Sequence, residues 1–275
     1  MAKLVGHRAL ITGASSGIGA ALARSLARRG ADVVLTARRA GPLTALAEEL
    51  RGAHRVATDV IALDLAAADG ADELWRRARA AGPITVLANN AGFGQYRRFD
   101  AIEPARDAEL VALNVAAPVA LCHALVADPG AGGRRYILNV ASVVAWQAIP
   151  HFATYAASKA FVRGFSEALY YELADRDIGV TCLCPGGTRT EFHAQAGAGD
   201  YGRLARAAML DAGPVAEVGV RAMLAGKKTV IPGRLNKLSC FVVGLLPRGL
   251  ASRSAARVMG PPRDAPLPPR RPPAV

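Results

Sequence analysis

Short apolar runs alternate along the chain with longer segments in which apolar residues recur every three or four positions. The runs at 8–12, 32–37, 59–63, 84–88, 135–140, 179–184 and 228–232 predict strands. The segments 17–29, 42–50, 71–81, 105–125 and 154–174 predict helices. This alternation predicts an α/β fold with right-handed crossovers: a doubly wound parallel sheet of about seven strands, covered by helices on both faces in three layers.

The first predicted strand is followed by TGASSGIG, which places Gly13, Gly17 and Gly19 between a strand and a helix. In such a sheet ligands bind beyond the carboxyl ends of the strands. Glycines let the backbone approach a pyrophosphate closely, and the amides at a helix N-terminus attract its charge. A glycine turn used only for close packing is the alternative, but this location favours dinucleotide binding.

The second predicted strand ends in TARR, where folds that select NAD usually carry an acid for the ribose hydroxyls. No carboxylate stands here, and a guanidinium suits a 2′-phosphate because its planar donors bond oxygens in pairs. We therefore expect NADP(H) rather than NAD(H), with Arg38 as the contact, although one of the two arginines fits a solvated surface position equally well.

Polar residues also follow the third and fourth predicted strands. Asp64 is placed to accept from an adenine amino group, or else to cap the next helix. NNAG, residues 89–92, can bond backbone and ribose, and a purely structural turn explains it almost as well.

Tyr155 and Lys159 are four positions apart on a predicted helix and therefore share a face. A free phenol titrates near ~10, which is too high for a base at neutral pH, so a neighbouring cation that favours the phenolate suits proton transfer. A tyrosine four residues before a lysine, taken alone, is equally typical of an ordinary helix face.

Taken in order over about residues 5–232, these motifs resemble the short-chain dehydrogenase/reductase family. The resemblance rests on TGASSGIG, Asp64, NNAG, Asn114 in LNV, Ser142 in NVAS, YAASK and PGGTRT. It implies a Rossmann-type sheet that binds a nicotinamide cofactor, with hydride passing between its ring and a carbonyl or alcohol carbon.

The resemblance also implies roles for individual residues. Tyr155 would be the general acid or base, Lys159 would lower the tyrosine pKa and bind ribose, Ser142 would orient the substrate oxygen, and Asn114 would support a relay water. The expected cofactor contacts, beside Tyr155 and Lys159, are Gly13, Ser15, Ser16, Gly17, Ile18, Gly19, Arg38, Asp64, Asn90, Ala91, Gly92, Pro185, Gly186, Thr188 and Thr190. No metal site is assigned.

Composition changes this picture mainly at the C-terminal end. The net charge is +12, and residues 226–275 hold ten Lys and Arg against one acid. We expect a catalytic domain over 1–233, a basic and apolar helical extension over 234–260, and a disordered Pro-rich tail over 261–275. Four cysteines suggest no disulfide framework, and no secretory signal is recognised, so we expect a cytoplasmic protein.

The basic extension is suited to packing against, or binding, several kinds of partner. Packing over its own substrate pocket or a dimer partner is the favoured interpretation, with an anionic membrane surface or an acidic acyl-carrier protein as alternatives. Nucleic acid is not expected, because no recognition helix accompanies the charge.

The expected substrate is a small apolar carbonyl compound or alcohol: a ketone, an aldehyde, a 3-oxoacyl chain or a steroid-like compound. Its pocket is predicted at Phe93, Gln95, 143–146, 149–152 and 191–210. A homodimer or homotetramer is expected through the helices at 105–125 and 154–174. A catalytically silent NADP-binding sensor or scaffold is the alternative function.

Overall fold

Seven parallel strands form the central sheet of the protein. A computed structural model describes residues 3–128, 133–192, 196–197 and 209–260. The strands of the sheet are β1 (Arg8–Thr12), β2 (Asp32–Ala37), β3 (Thr58–Ala62), β4 (Val86–Asn89), β5 (Arg135–Val140), β6 (Ile178–Leu183) and β9 (Thr229–Val230). Their order is β3-β2-β1-β4-β5-β6-β9, which reverses between β1 and β4. A small separate parallel pair joins β7 (Thr188–Arg189) to β8 (Leu210–Asp211).

Helices cover both faces of the sheet, so the predicted α/β class and Rossmann-type three-layer arrangement are confirmed. The helices of the described part are α1 (Gly17–Ala27), α2 (Ala40–His54), α3 (Gly70–Arg79), α4 (Pro104–Val111), α5 (Ala117–Ala127), α6 (Ala153–Glu172), α7 (Ala212–Leu224), α8 (Arg234–Leu245) and α9 (Arg248–Met259).

The central strands, such as β1, send alternate side chains into two cores on opposite faces of the sheet. Ala9 and Ile11 of β1 pack in the core that includes α1, α2 and α7. Leu10, between them, packs in the opposite core with residues of α3 and α5. Since both faces of the sheet are covered, both sets of positions are apolar, which explains why the strands are continuous apolar runs in the sequence.

The helix predicted over 105–125 is interrupted by a π-helical turn at Ala112–Ala116. The Ala117 amide donates to the Ala112 carbonyl five residues back, and Pro118 has no amide to donate to residue 114. Such a bulge turns the following residues relative to the α-helix before it, and π-bulges are frequent at functional sites. Asn114 lies within it.

The stretch Pro104–Ala127 is, by length and composition, apolar enough to cross a membrane. Its second half, however, contributes Leu121, Cys122 and Leu125 to the core against the sheet. Core helices of water-soluble folds commonly satisfy the same criterion, so this stretch is explained by its packing.

The predicted extension 234–260 contains α8 and α9, joined at Leu246 and Pro247. The predicted disordered tail over 261–275 lies outside the described residues, as do 193–195 and 198–208 of the predicted pocket segment. The division into domains at 233 stays a prediction.

Candidate active site

The glycine turn after β1 lies against the N-terminus of α1. Gly13 and Gly17 have φ of +66° and +55°, in the left-handed region that side chains disfavour. A Cβ on Gly19 would lie 2.2 Å from the Gly13 carbonyl oxygen, so the first turn of α1 packs directly on the loop. Ser16 precedes α1 in extended conformation and its side chain caps no amide in the described structure. The first amides of α1 are therefore available to an anion.

The loop after β4 is tied to this glycine turn. The Thr12 hydroxyl accepts from the amides of Asn90 and Ala91, each at 2.9 Å. The Asn90 side-chain amide donates to the carbonyls of Thr12, at 2.9 Å, and Gly13, at 3.2 Å. NNAG thus holds two adjacent strand ends in one fixed arrangement.

Lys159 is buried at the carboxyl end of β5. Its Nζ donates to the Val140 carbonyl at 2.9 Å, and desolvation lowers the pKa of this ammonium to about 8. The same Nζ lies 5.8 Å from the centre of the Tyr155 ring. Near neutral pH a positive charge therefore stands beside the phenol.

Tyr155 lies in the first turn of α6, between two other aromatic rings. Phe152 stacks on it with a centroid distance of 4.3 Å, and the Phe192 ring lies 5.3 Å away. A Cβ on Gly94 would lie 2.9 Å from the Tyr155 ring, so a third side is also closely packed. This packing limits rotation of the ring and fixes the direction of its hydroxyl.

Ser142 follows β5 and begins a short 3-10 turn. Its hydroxyl accepts from the Val144 amide at 3.3 Å and donates to the Pro185 carbonyl at 3.4 Å. Val144 follows β5 and Pro185 follows β6, and both contacts are long for hydrogen bonds. The Ser142 hydroxyl, which lines the cavity, can therefore form a shorter hydrogen bond to a ligand.

Asn114 is buried and forms hydrogen bonds with the backbone that follows NNAG. Its Oδ1 accepts from the Phe93 amide at 3.1 Å, and its Nδ2 donates to the Phe93 carbonyl and the Ser158 hydroxyl. A Cβ on Gly92 would lie 2.8 Å from Asn114 Oδ1 and 3.4 Å from Lys159 Nζ. Asn114 thus approaches Lys159 across a position that only glycine can occupy without displacing them.

A cavity of about 580 Å³ brings most of the predicted site together. The predicted residues that line it are Gly13, Ser16, Gly17, Ile18, Asn90, Ala91, Gly92, Ser142, Tyr155, Lys159, Pro185, Gly186, Thr188 and Thr190. One end is the glycine turn and the other is the aromatic cluster around Tyr155. The glycine end, with its crowded Cα atoms and available helix amides, fits the pyrophosphate of a dinucleotide.

Five predicted residues lie outside the wall of this cavity: Ser15, Gly19, Arg38, Asp64 and Asn114. The Asp64 carboxylate accepts from the Ala66 amide at 3.0 Å, which stabilises the turn before α3. The Arg38 side chain is 61% exposed and contacts Glu109 at 3.3 Å. Arg39 reaches the glycine turn instead, with contacts to Ser15 Oγ at 3.4 Å and to Glu191 at 2.9 Å.

The substrate end of the cavity differs in part from the prediction. Val143, Val144, Trp146, Ile149, Phe152 and Phe192 line it as expected. Phe93 was predicted there but lies under the Arg106 guanidinium, 4.2 Å from it, and Gln95 also lies outside the described wall. Packing over the substrate pocket was one of the two favoured expectations for the extension 234–260, and α8 and α9 do line the cavity. Sequence reasoning did not name Gln147 or the individual residues of these helices that form the wall: Leu235, Asn236, Ser239, Cys240, Val243, Ser254, Ala255, Val258 and Met259.

The spacing of Asn236, Cys240 and Val243, at i, i+4 and i+7, was the available signal for that wall. It indicates a buried helix face but not what the face covers. Elsewhere, the described residues contain no cluster of His, Cys, Asp and Glu suited to a metal ion.

Comparison with known proteins identifies relatives of this chain. A family model described as short chain dehydrogenase matches residues 7–200. An uncharacterized oxidoreductase of Myxococcus xanthus is 34% identical over 195 residues, or 70% of this chain and 77% of that protein. Some curated relatives are longer, and the match covers as little as 56% of their length.

Solved structures share the fold over most of its length. The bulky-bulky ketone specific alcohol dehydrogenase from Comamonas testosteroni aligns with a TM-score of 0.72 and 33% identity, over 87% of this chain and 93% of that one. A short-chain dehydrogenase from Sphingobium yanoikuyae in complex with NADPH aligns with a TM-score of 0.75 and 30% identity, over 88% and 97%.

A Burkholderia phymatum short chain dehydrogenase/reductase in complex with NAD aligns with a TM-score of 0.77 and 25% identity, over 88% of this chain and 94% of that one. The structural neighbours therefore include complexes with either nicotinamide cofactor. The ordered motifs, the single cavity that joins them and the family match together lead to one conclusion: the chain belongs to the short-chain dehydrogenase/reductase family of oxidoreductases.

Proposed function

We propose that this protein is an NADP(H)-dependent oxidoreductase that interconverts a carbonyl group and an alcohol on an apolar substrate. The observation that carries the proposal is the shared cavity, which joins a phosphate-type glycine turn to Ser142, Tyr155 and Lys159. When bound, the nicotinamide dinucleotide supplies or accepts the hydride. The chain supplies the proton, the orientation and the exclusion of water.

In this proposal Tyr155 donates the proton to the substrate oxygen in reduction and accepts it in oxidation. The buried Lys159 ammonium stands beside the ring and favours the phenolate, and it also binds the cofactor ribose. Ser142 donates to the substrate oxygen from its position at the wall. Asn114 positions the backbone near Lys159, where a relay water would connect the site to solvent.

Cofactor choice is proposed from the end of β2. Ala37 stands where an acid would bind the ribose hydroxyls, and Arg38 and Arg39 follow it. Arg38 is the proposed 2′-phosphate contact, and Arg39 lies close enough to the glycine turn to assist. Their ion pairs with Glu109 and Glu191 are exposed and worth at most about 1 kcal/mol each, so a phosphate can replace them at little cost.

The proposed substrate class follows from the wall of the cavity. Trp146, Ile149, Phe152, Val243 and Met259 present apolar surface to the cavity that Tyr155 also lines, and no described Lys or Arg other than Lys159 lines it. The specificity for bulky ketones in the name of the Comamonas neighbour is consistent with such a pocket. We expect ketones, aldehydes, 3-oxoacyl or steroid-like compounds.

The experiment measures NADPH oxidation with a panel of ketones and aldehydes, from small to steroid-sized, for wild type and Tyr155→Phe. We expect turnover in the wild type and a loss of at least about 100-fold in the variant, because general acid catalysis contributes about 10² to 10⁴. NADPH binding, followed by fluorescence, should be nearly unchanged.

Turnover by Tyr155→Phe near the wild-type rate would contradict the assigned role. Cofactor binding without turnover of any compound by the wild type would favour the alternative, a silent NADP sensor or scaffold. We propose a cytoplasmic location for the enzyme, and its four buried cysteines are all unpaired.

A further inference from the structure

Helices α8 and α9 each have an inward face that closes the cavity. From α8, Asn236, Cys240 and Val243 line it, and from α9, Ala255 and Met259 do so. The two helices therefore form a wall of the site rather than an independent appendage.

The opposite side of α8 carries large apolar side chains in solvent. Leu235, Leu238, Phe241, Val242 and Leu245 are between 45% and 71% exposed. At 3.6 residues per turn these positions fall within roughly a third of the helix circumference. We call these five residues the outer face of α8. Single exposed apolar residues are ordinary, whereas a contiguous set of this kind marks a contact surface.

The same two helices, α8 and α9, carry exposed basic residues. Residues 234–260 contain no Asp or Glu and five basic residues: Arg234, Lys237, Arg248, Arg253 and Arg257. The ion pairs found among the described residues all involve other basic residues, none of them in α8 or α9. The charge of this surface is thus not neutralised within the part of the chain that the structure describes.

This combination favours an anionic lipid surface over a second copy of the chain. Two copies meeting through α8 would bring the uncompensated charges of Arg234 and Lys237 from each copy together, four in all, with six more on the adjoining α9 helices. Anionic headgroups instead complement the cations while the acyl region accepts the apolar side chains. Each helix has 12 residues, about 18 Å, so the pair can lie on a bilayer but cannot cross it.

We propose that the protein docks on anionic membranes through the outer face of α8 and the basic residues of α8 and α9, and that its cavity opens toward the lipid. Leu235 and Val258 lie where the cavity meets the exposed surface of α8 and α9, because both line the cavity and both are more than half exposed. Substrate would then pass from the membrane into the cavity beside these side chains. Docking is independent of the proposed function, while substrate delivery rests on it.

Flotation of the full chain with vesicles tests the docking. We expect the protein to float with vesicles of 70% phosphatidylcholine and 30% phosphatidylglycerol, to float at least about tenfold less with pure phosphatidylcholine, and to be released by 0.5 M NaCl. The double variants Leu238→Gln/Phe241→Gln and Arg234→Glu/Lys237→Glu should each lower the flotation with anionic vesicles at least about tenfold.

Matched variants control for altered surfaces in general. Phe99→Gln changes another exposed phenylalanine, and Arg76→Glu/Arg77→Glu reverses two exposed charges on α3, so neither should change flotation. As a second readout, the fluorescence of Phe241→Trp should shift to shorter wavelength on anionic vesicles, while that of Phe99→Trp should not.

Absence of flotation, equal flotation with neutral vesicles, or equal loss in the control variants overturns the proposal. A change of oligomer size in Leu238→Gln/Phe241→Gln, with no vesicle binding by the wild type, overturns it in favour of a self-interface.

NADPH-dependent turnover of a water-soluble ketone is measured separately, and Leu238 and Phe241 do not line the cavity. Flotation without turnover would therefore contradict the proposed function alone, and turnover without flotation would contradict docking alone.

Discussion

Lys159 holds its charge inside the protein with a carbonyl, not a carboxylate, as its hydrogen-bond partner. Burial lowers the pKa of this ammonium from 10.5 to about 8, and the Val140 carbonyl is its described acceptor. The unfolded chain therefore binds more protons than the folded protein between about pH 8 and 10.5. Stability rises with pH through that window, and below pH 8 the full cost of burying the charge applies.

Lys159→Met should remove this pH dependence. Without cofactor, we expect the variant to exceed the wild type in unfolding free energy by on the order of 3 kcal/mol at pH 7, and by much less near pH 10. Urea denaturation at both pH values measures the difference. Lys227→Met, at an exposed lysine, is the control and should follow the wild type. Parallel pH curves for wild type and Lys159→Met would contradict the predicted linkage.

Arg38 and Arg39 differ in what they touch, and this allows their roles to be separated. Arg38→Asp should weaken NADPH binding by about 10- to 100-fold and leave NADH binding nearly unchanged, because a charge-assisted contact with phosphate is worth about 1.5 to 3 kcal/mol. Calorimetric titration of both cofactors measures the ratio. The same titration of Arg39→Asp shows whether the arginine nearer Ser15 shares the contact. An unchanged NADPH/NADH ratio in both variants would refute the proposed 2′-phosphate site.

At the scale of elements, α1 can pack on the loop that follows β1 only because Gly19 has no side chain. An added methyl group would lie 2.2 Å from a backbone oxygen, which cannot move without displacing the loop. We expect Gly19→Ala to lower the unfolding free energy by about 1–3 kcal/mol and to weaken cofactor binding.

Gly52→Ala is the matched control, since Gly52 also lies in a helix but has open space around its Cα. There alanine should stabilise the protein by up to about 1 kcal/mol. Chemical denaturation of both variants, with NADPH titration, tests the comparison. A neutral Gly19→Ala would show that the loop does not pack as described.

At the scale of the whole molecule, the expected oligomer should form through α4, α5 and α6. Val111 and Phe161 are apolar and nearly half exposed on these helices, and Phe161 stacks on Phe165. Exposed apolar residues on two neighbouring helices are suited to a contact between copies. We propose that the wild type is a homodimer or homotetramer.

Val111→Glu/Phe161→Glu should convert the oligomer to a 28.6 kDa monomer, because the new carboxylates would be buried in the contact. Light scattering after size-exclusion chromatography measures the mass. Phe99→Glu, at an exposed phenylalanine in another element, should leave the mass unchanged. A monomeric wild type would contradict the expectation directly.

Local patterns in the sequence determined the sheet and the phosphate end of the site. The apolar runs predicted β1, β2 and β5 with the observed bounds, because strands buried on both faces need continuous apolar residues. The turn that contains Gly13 and Gly17 was also predictable, since positive φ and close approach are properties of a few consecutive residues. The position of Tyr155 and Lys159 on one helix face follows from helix geometry in the same way.

Only the tertiary structure determined which residues that are far apart in the chain lie close together in space. The π-helical turn around Asn114, the contact of Arg39 with Ser15, and the choice of which residues of α8 and α9 line the cavity each depend on how elements pack together. A helical repeat such as Asn236, Cys240 and Val243 specifies that one face is buried, but not what it covers. The same packing left the opposite face of α8 exposed, because among the described residues the helix packs on the fold through its inward face.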